Sequence, residues 1–261
     1  MSMFRREDII FENDKTYSGS MLSNKEIIDA VYEASLHFID LMNITSLKKI
    51  IIKQMAIFES TLGTARNFGE KAIIELAYVT AVNLKYDPQR NDKELHKIAM
   101  ATLCHEFCHV RDFELIWKKL VKDDFNMKHE MELGFDVWTE FFATYNSFII
   151  CEDDLLYDSF KKSFQNKDGN RSYYASRVLG YYLNKGHSVY CDQLVETYLI
   201  KQEVNKLVKC LGKMISAYAD ISKSDLIECA ELIKRTYERS FSLNALSPIN
   251  SRGLPQKWLR D

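Results

Sequence analysis

Ile98-Ala-Met-Ala-Thr-Leu-Cys-His-Glu-Phe-Cys-His-Val110 is the stretch whose reading decides how the rest of the chain is read. Neither Gly nor Pro interrupts it between Leu95 and Phe113, so it is predicted to be helical. Asn91 and Glu94 are placed to act as its capping pair. Within it, His105-Glu106-Phe107-Cys108-His109 forms an H-E-x-x-H pentapeptide. Histidines four apart share one helix face, one turn apart, so both imidazoles can reach a single ion. Glu106 then projects beside that ion, where a general base for an activated water belongs. The alternative is a core helix that happens to carry two histidines. Such a helix must bury two imidazoles and a carboxylate among Leu103, Phe107 and Val110, and burying a charge without a partner is expensive. A metal ion removes that cost.

Outward from this helix, the flanking sequence alternates between helical and extended patterns. Residues 1–23 read as an irregular polar tail. Ser23 and Glu26 form a capping box for a helix with apolar residues Ile27, Ile28, Val31, Ala34, Leu36, Phe38, Ile39 and Leu41. Leu47 to Ile57 contains Lys-Lys-Ile-Ile-Ile-Lys and predicts a strand, whereas Phe58 to Glu70, with Gly63 and Gly69, reads as a loop. Val79 to Tyr86 predicts a second strand that ends at the turn Asp87-Pro88. A further helix is expected from about Phe135 to Cys151. The chain then reads as helical to about Phe241, with breaks at Asn166–Asn170 and Asn184–His187, and Ser247–Pro255 is loose. There is no internal repeat.

Composition narrows the class. With 261 residues the chain can bury a sizeable core. Only three prolines and nine glycines favour long helices over a turn-rich all-β fold. The net charge of −2 and the short basic pairs Lys48-Lys49 and Lys161-Lys162 give no nucleic-acid footprint, so no nucleic-acid partner is expected. The N-terminus has no apolar core of a signal peptide, and no apolar run approaches a membrane span of about 20 residues. The six cysteines form no C-x-x-C pair and read as reduced and buried, which points to a cytoplasmic protein. Cys104 and Cys108 lie about 100° round the helix from the histidines and are expected to pack rather than ligate.

A catalytic zinc takes three protein ligands and keeps one position open. A metzincin would need Gly three residues after His109 and His six after; those positions hold Asp112 and Leu115, so that class is excluded. Asp112 lies on nearly the same face as His105 and suits a supporting role better than ligation. His129 lies in the polar stretch Lys128-His-Glu-Met-Glu132 and is a weaker candidate ligand. Glu140 is the best third ligand: it is a lone carboxylate among Val137, Trp138, Phe141, Phe142 and Ala143. A glutamate on the exposed face of an amphipathic helix is the competing reading.

His105-Glu-Phe-Cys-His109 followed by Glu140-Phe-Phe-Ala143 resembles a gluzincin metallopeptidase and, more narrowly, is similar to the ImmA/IrrE-like family. The resemblance covers about residues 24–150; Thr139 and Phe142 depart from the polar residues often seen there. It implies an α+β, predominantly helical fold, with a small zincin-type sheet packed on the H-E-x-x-H helix and a helical C-terminal extension. The expected organisation is a metallopeptidase domain over 24–150, a helical region over 151–246, and irregular tails at 1–23 and 247–261. The activity implied is Zn²⁺-dependent hydrolysis of peptide bonds in a protein or peptide substrate, such as a regulatory protein. His105, His109 and Glu140 would be the ligands and Glu106 the general base. Tyr145 and Asp112 are candidates for stabilising the oxyanion or supporting the ligands, and Tyr173, Tyr174, Tyr181, Tyr182 and His187 lie further along. The alternative is an inactive, metal-stabilised interaction module or regulator.

Overall fold

The computed structural model describes residues 4–12, 22–54, 62–68, 71–86, 93–121, 129–150, 171–185 and 200–236. It is mostly helical with a four-stranded mixed sheet, an α+β arrangement. By compactness the chain divides at Arg111–Asp112, inside the span 24–150.

The first unit is built on the sheet. A 3₁₀ turn, Arg6–Asp8, leads into β1 (Ile9–Phe11). Helix α1 (Asn24–Met42) crosses over to β2 (Leu47–Lys53), which pairs with β1 in parallel, Ile9 opposite Ile50. β3 (Gly63–Phe68) and β4 (Lys71–Ala77) form an antiparallel pair, and β4 pairs with β2 in parallel, Ile50 opposite Ile74. The order is β1-β2-β4-β3, which leaves β3 at an edge. Ile50, Ile52, Ile74 and Leu76 are fully buried, as a period-2 pattern on the central strands requires.

Helix α1 starts as its sequence dictates. The Ser23 hydroxyl accepts from the Glu26 backbone N–H at 3.3 Å, and the Glu26 carboxylate accepts from the Ser23 N–H at 2.9 Å. It ends at Asn43, whose φ of 54° is the left-handed cap conformation. Its buried face is Ile27, Val31, Ser35, Phe38 and Met42, while Leu41 is 63% exposed.

Three sequence expectations are corrected in this unit. The tail 1–23 holds a 3₁₀ turn and a strand, because Ile9-Ile-Phe11 is too short to show a period yet completes the edge of β2. The expected loop 58–70 contains β3, whose Gly-Thr-Ala-Arg-Asn-Phe sequence has little strand propensity of its own and is held by pairing to β4. The strand expected over Val79–Tyr86 is instead helix α2 (Tyr78–Asn83). β4 has already crossed the sheet by Ala77, and α2 buries Thr80 and Ala81 while Val79 faces solvent. Tertiary context has overridden local propensity.

Helix α3 (Lys93–Asp112) carries the H-E-x-x-H motif. The position expected to cap it, Asn91, lies outside the described residues. Phe107 packs on Phe38 of α1, with ring centroids 5.7 Å apart. The helix passes directly into a π-helical turn, Phe113–Trp117, and a short α4 (Lys118–Val121).

The second unit is helical among the described residues. Helix α5 (His129–Ile150) packs against α6 (Arg171–Lys185) and α8 (Lys223–Thr236), and α7 (Lys201–Ser216) pairs with α8. α5 begins six residues before the expected Phe135 (135 − 129). Gly134 is interior to this helix: a Cβ there would lie 1.8 Å from the Leu226 carbonyl oxygen, so only glycine lets α8 cross so closely. Gly180 does the same for α6, against the Phe141 carbonyl. Trp138, Phe141 and Phe148 are fully buried along α5. The expected break at 166–170, the second half of that at 184–187, the helical pattern near Phe241 and the tail 247–261 lie outside the described residues, while Asn184 and Lys185 are helical.

Candidate metal centre

The two motif histidines face each other on α3. Their Nε2 atoms are 3.0 Å apart and their rings meet edge to face at 84°. Two Zn–N bonds of about 2.0–2.1 Å at a tetrahedral angle place their nitrogens roughly 3.3 Å apart, so the pair is already near the spacing that one ion needs. Glu106 is buried, at 5% exposure, as is His105 at 9%. His109 is half-buried.

Ligand atoms of His105, His109 and Glu140 all lie within 4.8 Å of one another. This His₂Glu group could hold a metal ion, and among the described residues no other group of three such side chains does so. It comprises the two helix-spaced imidazoles and the carboxylate expected from sequence. Donor atoms of this kind, two nitrogens and an oxygen, suit a divalent transition ion better than calcium or magnesium.

Glu140 sits on α5 one turn after Asp136, which itself lies one turn after Glu132. Burial holds the Asp136 carboxyl well above the usual carboxylate range, and the carboxylates of Glu140 and Glu132 push it the same way. Like charges one turn apart repel; a cation on Glu140 offsets that repulsion.

The remaining sequence candidates fall in different surroundings. Asp112 is fully buried, and its Oδ1 accepts a hydrogen bond from the Tyr218 hydroxyl at 2.5 Å. Tyr218 in turn stacks on Phe142 at 4.7 Å. Sequence reasoning missed Tyr218, which sits more than 100 residues away and belongs to no motif. The half-buried Tyr145 stacks on Phe141, and its carbonyl accepts from the Asn184 side chain at 2.9 Å. Tyr173 accepts from Arg177 at 2.7 Å, and Tyr181 packs edge-on against Phe148. The side chains of His129, Tyr174 and Tyr182, and residue His187, lie outside what the structure describes.

Cys104 and Cys108 are buried and stand outside the ligand group. Cys210 and Cys229 are buried and free, and burial pushes the Cys210 thiol up to about 11. Cys151 and Cys191 lie outside the described residues. No described helix is long and apolar enough to cross a membrane.

No protein-family model matches the chain, and comparison with curated proteins and with solved structures finds no match.

Proposed function

We propose that the protein is a zinc-dependent metallopeptidase of gluzincin type, hydrolysing peptide bonds in a protein substrate. The observation that carries this reading is the convergence of the His105, His109 and Glu140 ligand atoms within 4.8 Å, with the buried Glu106 adjoining His105 on the same helix. Bound zinc would acidify a water molecule and polarise the scissile carbonyl. Glu106 takes the water's proton and hands it to the leaving amine. A site that only braced the fold would have no use for a buried carboxylate at that position, which weighs against the interaction-module alternative.

The arrangement of the first unit supports the same reading. β3 is an edge strand, and a Cβ added at its first residue, Gly63, would stand 2.9 Å from Cγ of Glu106. Among the described residues β3 pairs on one side alone, with β4. An extended peptide added to its outer edge by main-chain hydrogen bonds would lie next to the base. That role falls to β3 rather than to the sequence-expected Val79–Tyr86.

The test is cleavage of fluorogenic casein by zinc-loaded protein. Glu106→Gln should retain zinc and lose at least about 100-fold in rate, the usual contribution of a general base. Full activity in that variant would remove the hydrolytic assignment.

A further inference from the structure

Gly63 opens β3, and an alanine Cβ there would stand 2.9 Å from Cγ, 3.0 Å from Oε1 and 3.2 Å from Cδ of Glu106. Three bonded atoms of the glutamate therefore lie along the bare backbone of this residue. Its φ is outside the left-handed region, so the backbone conformation does not call for glycine; the space does. Glycine weakens a strand and often marks the close approach of another group.

We propose that Gly63 is a positioning residue that seats the Glu106 carboxylate beside the metal site. This rests on the reading of Glu106 as the general base. Neither side of the contact can retreat freely. The Leu62 carbonyl accepts both the Ala77 N–H and the Thr80 hydroxyl at 3.0 Å, and Gly63 is in register with Leu76. The start of β3 is thus fastened to the β4–α2 junction. On the other side, moving Cγ of Glu106 requires a change at χ1, which a helix restricts, in a side chain that is already buried. A carboxylate oxygen alone could swing aside; the Cγ contact makes the displacement involve the whole side chain. A side chain at 63 would therefore move the base while leaving His105 and His109 as they are.

Two measurements test this. The first is a thermal-unfolding cycle on metal-free protein with Gly63→Ala, Glu106→Ala and the double variant. Gly63→Ala should lower Tm by a few degrees when Glu106 is present. It should have no effect, or a stabilising one, when Cγ, Cδ and Oε1 have been removed by Glu106→Ala. A Gly63→Ala variant too unstable to fold alone but restored by Glu106→Ala supports the seat equally. The same effect in both backgrounds overturns it. The second uses zinc-loaded protein and fluorogenic casein. Gly63→Ala should keep its zinc and its KM, lose more than about tenfold in kcat, and add no loss in the Glu106→Gln background. An unchanged kcat overturns the proposal. Absence of casein cleavage by the unsubstituted protein bears on the peptidase reading instead, and the unfolding cycle then still decides the Gly63–Glu106 contact.

Discussion

At the scale of single residues, the 3.0 Å approach of the His105 and His109 Nε2 atoms follows from four-residue spacing on one helix. The next helical turn is fixed differently. Asp112 is buried, and the Tyr218 hydroxyl is one of the groups that satisfies its carboxylate. A hydrogen bond to a charged group contributes about 1.5–3 kcal/mol. Tyr218→Phe keeps the ring on Phe142 and removes only the hydroxyl. It should shift the urea midpoint downward by that amount of stability with an unchanged m-value. An unshifted midpoint would show that Asp112 is held adequately by its other partners. The pairing was invisible in sequence, because nothing local to Tyr218 marks it as the partner of a residue so far along the chain. Glu106 stands out in sequence as a candidate base from its place in the pentapeptide. The close approach of Gly63 to Glu106 is not legible in the same way, since Gly63 reads in sequence as a loop residue.

At the scale of elements, the start of α1 shows what local sequence can specify. Ser23 and Glu26 were readable as a capping box, and both reciprocal hydrogen bonds are present. Lys85 lies outside that signal, yet its ammonium is 2.6 Å from Glu26. Hydrogen bonding to Lys85, then to Ser23, lowers the Glu26 carboxyl from 4.5 to about 2. A depressed folded-state value means that the stabilisation is fully present above about pH 4.5 and is lost as pH falls toward about 2. Glu26→Gln should therefore be less stable than the unsubstituted protein at pH 6, with the gap closing by about pH 2. Denaturant midpoints across that range check it; a gap independent of pH would remove Glu26 as its source. The strands were harder to read. β3 has little propensity of its own, and Val79-Thr-Ala-Val carries a β-type composition into a helix because the sheet ends at Ala77. Helix α5 starts at His129 rather than near Phe135, and Gly134 within it is required by the close approach of the Leu226 backbone.

At the scale of the whole molecule, fold class was legible from the scarcity of proline and glycine and from the helical periodicities. The sheet order was not, because strand pairing depends on partners distant in sequence. The His105–His109–Glu140 group was legible residue by residue, since each member carries its own signal: spacing for the histidines, and an isolated carboxylate in an apolar segment for Glu140. On the proposed function, these three side chains hold one ion. Metal content of purified protein, measured alongside His105→Ala and Glu140→Ala after equilibration with zinc, tests it most directly. The expected result is about one equivalent of zinc per chain, with affinity reduced by more than about 100-fold in each variant, beyond the loss typical of removing a supporting hydrogen bond. Zinc binding by Glu140→Ala equal to that of the unsubstituted protein, or no zinc in any of the three, would contradict it.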